Sequence, residues 1–305
     1  MIKKGLFFMK DRQLGRVRFI SGENKGRYPF SHSVYIEGEK ARIVIDPASS
    51  LDKLSLLRDT EGVDTVWLSH WHEDHFKYLY LFDHCSFWLS KKDFPPMADI
   101  NDLLDWCGIE TESYRDYWKN TIQKKFHYQP RKEARFIKDG EIIDCGSITV
   151  EAIATPGHTP GHLSFFFREE KVLFLGDYDL TSFGPWYGDL YSDIDDTIKS
   201  IRRLQKIPAK IWITSHEKGL FEENPGEMWQ RYENVIYERD SKILEFLKQP
   251  RTQDEMVSAW LIYGKPREPL VFFEFAERIL LKKHLQRLKK LNRIILDNNH
   301  YVVIK

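Results

Sequence analysis

Cysteine is scarce in this chain: 305 residues carry three, Cys85, Cys107 and Cys145, widely spaced and without a CxxC pair. An odd, scattered set of this kind excludes a disulfide framework and a cysteine-built metal site, and it fits a reducing compartment. Long apolar runs are missing as well. No stretch approaches the roughly 20 apolar residues of a membrane span. The opening MIKKGLFFMKDRQ offers only Leu6 to Met9 before Lys10 and Asp11, too short for a secretory apolar segment. A cytoplasmic protein with no membrane partner is expected. Net charge is the third absence: Lys plus Arg and Asp plus Glu each total 46, so no global field draws the chain to nucleic acid or to anionic lipid.

Aromatic side chains, in contrast, are plentiful, with 20 Phe, 14 Tyr and 9 Trp, and they supply enough apolar surface for a large core. The length suits one large α/β domain or a main domain with a small appendage. The runs SVYIEG, ARIVIDP and VDTVWLS, separated by turn residues, read as strands, as do EIIDCGSITVEAIATPG and KVLFLGD further on. Between these two groups, residues 93–137 are polar, aromatic and helical in pattern, and they read as an insertion. After Trp229 the spacing turns helical until Pro250. ERILLKKHLQRLKKL then sets Leu281, Leu285 and Leu288 at i, i+4 and i+7, and two strands follow around Asp297-Asn298-Asn299. A helix followed by a hairpin suggests a winged helix. The expected division is therefore a main domain over 1–235, carrying the insertion, and a winged-helix-like unit over 236–305.

The segment WLSHWHEDHF concentrates potential chemistry, placing His70, His72, Asp74 and His75 as H-x-H-x-D-H directly after a strand. Imidazole and carboxylate suit metals of borderline softness. At a strand end the i, i+2 spacing can turn two imidazoles toward one ion, leaving Asp74 and His75 for a neighbouring one. Further pieces stand at strand-to-loop junctions: Asp46 in RIVIDP, His158 in TPGHTPGH, Asp177 in LFLGD and His216 in IWITSH. Six of the 11 histidines fall in these motifs once His162 is counted, a concentration unlike a random surface scatter.

Through SHWHEDH, TPGHTPGH, FLGD and ITSH the chain resembles the metallo-β-lactamase-fold hydrolases, and most closely their glyoxalase II-like branch, over roughly residues 30–220. The resemblance implies a four-layer αββα sandwich. It also implies two divalent ions, zinc first with iron or manganese as alternatives: one held by His70, His72 and His158, the other by Asp74, His75 and His216, with Asp177 bridging both. Asp46 would stand behind the ligands and orient them, and His162 would either do the same or pack under the loop. A water shared by the ions would ionise near neutral pH and attack an ester, thioester or lactone, with Asp74 as the catalytic proton carrier. Substrates would be small or carrier-linked.

Downstream of Asp177, YDLTSFGPWYGDLYSD holds Tyr178, Trp186 and Tyr187 as candidate pocket walls, with Phe183 and Tyr191 nearby. The hydrolase body followed by a winged helix resembles the β-lactamase-like protein 2 group, in which RNA cleavage and thioester hydrolysis both occur. Seven Lys or Arg and no acid lie between Arg278 and Arg293. A ribonuclease or phosphodiesterase is thus one alternative, although Leu281, Leu285, Leu288 and Leu291 read as one buried helix face and the basic face reads first as solvated. An iron-dependent persulfide dioxygenase shares the histidine pattern and is the other alternative. A homo-oligomer is left open.

Overall fold

The computed structural model describes residues 10–304; the run Leu6 to Met9 lies outside them. Two sheets form the centre. The first orders its strands as the chain does: β1 Arg12–Leu14, β2 Val17–Ile20, β3 Ser33–Glu37, β4 Arg42–Ile45, β5 Thr65–Trp67, β6 Ser86–Ser90 and β7 Arg135–Ile137. Strands β1 to β4 are antiparallel, and β4 to β7 run parallel. The second sheet comprises β8 Ile142–Asp144, β9 Thr149–Ala154, β10 Leu163–Phe167, β11 Val172–Phe174, β12 Ile211–Ile213 and β13 Leu220–Phe221, again in chain order across the sheet. Within it, β12 joins β11 in parallel.

The strand sequences explain the stacking. In β3 and β4, Val34, Ile36, Ile43 and Ile45 face the second sheet, whereas Tyr35 and Val44 face the opposite way, and all are buried. A strand buried on both faces must lie inside a layered body. Trp67 meets Phe165 across the intersheet core. The outer face of the first sheet is covered by α1 Leu51–Thr60, α3 Phe94–Ala98, α4 Ile100–Trp106 and α5 Glu112–Lys125, with α2 Glu73–Phe76 a single turn between α1 and α3. The outer face of the second is covered by α6 Ile194–Leu204 and α7 Glu227–Phe246. These layers are the αββα sandwich the resemblance implies. One part of the expected helical insertion differs: Arg135–Ile137 is strand β7, because Ile137 is needed in the intersheet core and its neighbours pair with the open edge of β6.

Beyond the sandwich come α8 Gln253–Ser258, α9 Leu270–Lys290 and a hairpin of β14 Ile294–Asp297 with β15 His300–Val303. Asn298 and Asn299 both adopt left-handed φ, 43° and 64°, the geometry a two-residue hairpin turn requires. Helix α7 runs continuously across the division expected between 235 and 236. Ile198 of α6, Ile236 and Ile243 of α7 and Leu281 of α9 share one core, so the end of the chain is packed directly on the body. Among the described residues no helix is long and apolar enough to cross a membrane.

Leu281 is fully buried where these helices meet. Leu281→Ala is expected to cost about 2–5 kcal/mol through lost burial and the cavity left behind, read as a lower midpoint in calorimetry. Leu291, expected on the same buried face, caps the end of α9 and is 46% exposed; Leu291→Ala is expected to change stability by less than about 0.5 kcal/mol.

Candidate metal centre

The motif residues gather because parallel strands end on the same edge of the sandwich. Strand β5 delivers Leu68, Ser69 and His70; His72 then precedes α2, whose one turn presents Asp74 and His75. Strand β4 delivers Asp46, held at a left-handed φ of 51°. Its Oδ1 accepts the Ser69 N–H at 2.7 Å, and its Oδ2 accepts the Ser69 hydroxyl at 2.6 Å and His75 Nδ1–H at 2.9 Å. An uncommon backbone conformation fixed by three hydrogen bonds is the kind of local strain that functional sites retain.

In the second sheet, β9 leads to His158, β11 to Asp177 and β12 to His216. Two glycines make this junction close-packed. A Cβ at Gly176 would lie 2.4 Å from His162 Nε2, and one at Gly161 would lie 2.5 Å from Asp93 Oδ1. His162 Nε2 accepts the Asp177 N–H at 3.1 Å, and its Nδ1–H donates to the Thr155 hydroxyl at 2.8 Å. His162 thus orients the backbone of Asp177. Buried Asp93 accepts from the Thr159 hydroxyl and the Gly161 N–H, both at 2.6 Å, and so clasps the loop that bears His158.

Three imidazole nitrogens meet at one point: His70 Nε2 and His72 Nδ1 are 3.0 Å apart, His158 Nε2 and His72 Nδ1 2.9 Å, and His158 Nε2 and His70 Nε2 3.2 Å. Asp177 faces them with Oδ2, 3.3 Å from His158 Nε2 and 3.8 Å from His70 Nε2. It faces a second group as well, with Oδ1 3.1 Å from His75 Nε2 and Oδ2 3.4 Å from His216 Nε2. Asp74 completes that group at 3.7 Å from His216 Nε2 and 3.9 Å from His75 Nε2. The donor atoms of His70, His72, His158 and Asp177 lie within 4.8 Å of one another, as do those of Asp74, His75 and His216.

The outer nitrogen of each ring decides what the inner one can do. His72 Nε2–H donates to Asp189 Oδ2 at 2.8 Å, His158 Nδ1–H to the Trp186 carbonyl at 3.1 Å, and His216 Nδ1–H to the Gly26 carbonyl. His70 Nδ1–H donates to the Ser69 hydroxyl at 2.9 Å, since that hydroxyl is itself spent on Asp46. With the outer positions occupied by N–H, the five neutral rings turn lone pairs inward. His75 Nε2 and Asp177 Oδ1 are buried facing each other, with no further hydrogen-bond partner for either. Such a set fits divalent cations, which would satisfy these donor atoms.

Without a cation, protons take that role. Burial opposes a charge on His72, yet the Asp189 carboxylate raises its pKa to about 9. Burial likewise opposes a charge on His216, and Asp177 and Asp179 raise it to about 10. His75 is raised by Asp177 and Asp46 against its burial, whereas burial prevails at His70 and at His158, the latter falling to about 4. Asp177, against its own burial, is held well below the carboxylate range by His75 and His216.

Asp189, Asp179 and Asp93 are participants that no motif pointed to. Asp179 Oδ1 accepts the His216 N–H at 3.0 Å. Asp189 sits 12 residues after Asp177 in an irregular loop, where spacing carries no signal. The aromatic loop needs correction. Trp186 and Phe183 line the cavity of about 1240 Å³ that opens on the site, whereas Tyr178 and Tyr187 do not. Tyr178 is buried beneath, donating to the Thr155 and Pro156 carbonyls, and Tyr187 is buried against His284 and Arg239. Their hydroxyls find partners inside the protein, and this draws the rings into the core.

Residues 27–216 match the metallo-beta-lactamase superfamily. An atrochrysone carboxyl ACP thioesterase of Aspergillus fumigatus is 26% identical over 210 residues, covering 66% of this chain and 56% of that protein. Lactamase-like protein nscB of Trichophyton equinum is 26% identical, covering 79% of this chain and 63% of its own length. The chain therefore spans 56% to 63% of these two relatives. Among solved structures, a metallo-beta-lactamase family protein of Thermus thermophilus superposes with a TM-score of 0.71 at 20% identity, over 95% of this chain and 99% of the other. A beta-lactamase domain protein of Burkholderia ambifaria gives 0.72 at 14% identity, over 97% and 94%. At such identities the likeness is one of fold.

Asp189 fixes the tautomer of His72. Asp189→Ala is expected to weaken zinc binding by about 10- to 100-fold, measured by competition with a chromophoric chelator. The pH dependence has a definite sign. Protonated His72 and His216 stabilise the metal-free fold fully below the ordinary histidine value of 6.5, and that contribution is lost as pH rises through about 9 and about 10. Metal needs the deprotonated rings. Zinc loading at pH 7 is therefore expected to release protons, read by calorimetry in buffers of different ionisation enthalpy, and affinity is expected to increase with pH up to about 10.

Proposed function

The chain belongs to the metallo-beta-lactamase superfamily, and on that premise we propose that it is a dinuclear metal-dependent hydrolase of an ester, thioester or lactone, with a carrier-linked thioester the best-supported substrate. The observation that carries this reading is the set of five inward-facing histidine nitrogens disposed on two sides of Asp177. His70, His72 and His158 would hold one ion and Asp74, His75 and His216 the other, with Asp177 between them. Zinc is the ion proposed; iron or manganese suits the same donors. Two such ions, when bound, supply Lewis acidity that polarises the acyl oxygen and makes water a stronger acid.

The remaining work falls to the chain itself. Asp46 and Ser69 hold His75 and His70 in register, and Asp189 does the same for His72. Phe183 and Trp186 wall the cavity and set aromatic surface beside the reacting group. In thioester hydrolysis the water oxygen bonds to the acyl carbon and the carbon–sulfur bond breaks. One water proton passes to the departing thiolate and the other leaves the new carboxylic acid. The carboxylate of Asp74, which lines the cavity, is the group proposed to carry the transferred proton.

The TPGHTPGH form of the third motif supports the glyoxalase II-like assignment, and the Aspergillus fumigatus relative is named as a thioesterase for an acyl carrier protein. We read α9 with β14 and β15 as a winged-helix-like appendage, but nucleic acid is not its proposed partner. Lys283 Nζ donates to the Leu190 and Ser192 carbonyls, and Arg287 pairs with Asp195 and Asp240. The cations nearest the body are therefore spent within the protein.

The test is turnover of thioester, lactone, phosphodiester and β-lactam substrates by protein of known metal content. Thioester hydrolysis is expected to be fastest, to stop on chelation and to return with zinc. Asp177→Ala is expected to reduce turnover to the buffer rate, and an unchanged rate would overturn the reading.

A further inference from the structure

The geometry points to an acyl-binding lobe beyond the metal centre that takes a large apolar acyl group, long-chain or fused-ring, and selects against short or polar ones. This rests on the hydrolase reading above for its chemistry, but its physical basis is separate. One cavity of about 1240 Å³ opens on Asp74, Asp177 and His216 and continues between segments far apart in sequence. Ligand pockets commonly run from ~300 to 1,000 Å³, so ample space remains once a thioester group is seated over the metal ligands.

The walls between the insertion and α9 are apolar. The insertion contributes Leu103, Trp118 and Ile122, and α9 contributes Phe272, Ala276 and Ile279. Phe272 stands where three segments meet, its ring centroid 6.4 Å from Trp118 and stacked 6.3 Å from Tyr28 of the N-terminal loop. These two rings, tilted 44° and 30° to Phe272, brace the cavity with aromatic surface suited to a fused-ring or extended hydrocarbon group. Of the cations that line the cavity, Lys242 and Arg267 stand apart from these apolar walls on other segments, and two more are committed within the protein. Arg27 pairs with Glu217, and Arg239 spends its guanidinium on the Phe183 and Pro185 carbonyls and the Tyr187 hydroxyl. A carboxylate or peptide set against Leu103, Ile122, Phe272 and Ile279 would lose its water without gaining a partner from them. A methylene placed there gains up to about fourfold in binding.

The insertion and α9, which carry no metal-binding motif, thus acquire a role: they measure the acyl group. The test uses the zinc-loaded full chain and a series of thioesters of one thiol, with acetyl, hexanoyl, dodecanoyl and 2-naphthoyl groups. The ratio of kcat/KM for dodecanoyl over acetyl is expected to exceed about 100-fold. Phe272→Glu and Ile279→Trp, one placing charge in the lobe and the other filling it, are each expected to cut that ratio at least tenfold, with circular dichroism and metal content as fold controls. Calorimetric binding of a non-hydrolysable dodecyl thioether to the same proteins separates the two readings. Chain-length-dependent binding that Phe272→Glu weakens, without turnover of any thioester, would keep the lobe and overturn the hydrolase reading. Equal kcat/KM across the series would overturn the lobe, as would failure of the dodecyl thioether to bind.

Discussion

Lone pairs repel, and five imidazoles cannot be packed with their unprotonated nitrogens facing inward unless positive charge lies among them. This constraint governs the centre of the protein. His70, His72 and His158 bring three nitrogens within 3.2 Å of one another, and each ring is pinned there by a donor bond from its far side. The positive charge can be protons or metal. Without metal the neighbouring carboxylates hold protons on His72 and His216, whose pKa values they push up against burial to about 9 and about 10. Metal would also serve the buried His75 Nε2 and Asp177 Oδ1, which lie 3.1 Å apart and have no other partner.

The architecture supplies the rigidity this demands. Parallel strand ends place Asp46, His70, Asp177 and His216 on one edge, and the intersheet core of Ile45, Trp67, Phe165, Phe174 and Ile213 lies immediately beneath. The far end of the chain contributes too. Buried Lys283 of α9 holds the carbonyls of Leu190 and Ser192, Ser192 donates to the His158 carbonyl, and Asp189 in the same loop holds His72. A helix that reads as a basic surface element is in this way tied to the ligand loops.

Much of the site was legible in the sequence because metal ligation requires specific residue types at strand ends, and His70, His72, Asp74, His75, His158, Asp177 and His216 all carried that signature. The structure brings these seven together. Residues that support them were less visible. Asp189, Asp179 and Asp93 act through hydrogen bonds formed by tertiary folding, and no spacing marks a partner 117 residues away, as Asp189 is from His72. The strands of short apolar runs and the C-terminal hairpin were readable from alternation and from the Asn298-Asn299 turn. Arg135–Ile137 was hidden at the end of a helical pattern, since three residues are too few for a period to appear. Tyr178 and Tyr187 misled for a different reason: an aromatic in a loop beside a ligand can face the cavity or the core, and the choice depends on whether its hydroxyl finds an internal partner.

The account rests on two cations among these side chains. The most direct measurement is anomalous diffraction from zinc-soaked crystals, with data collected on both sides of the zinc absorption edge. Two peaks are expected, one among His70, His72 and His158 and the other among Asp74, His75 and His216, with Asp177 between them. No peak at either position, or histidine rings turned away from one another after soaking, would contradict the account.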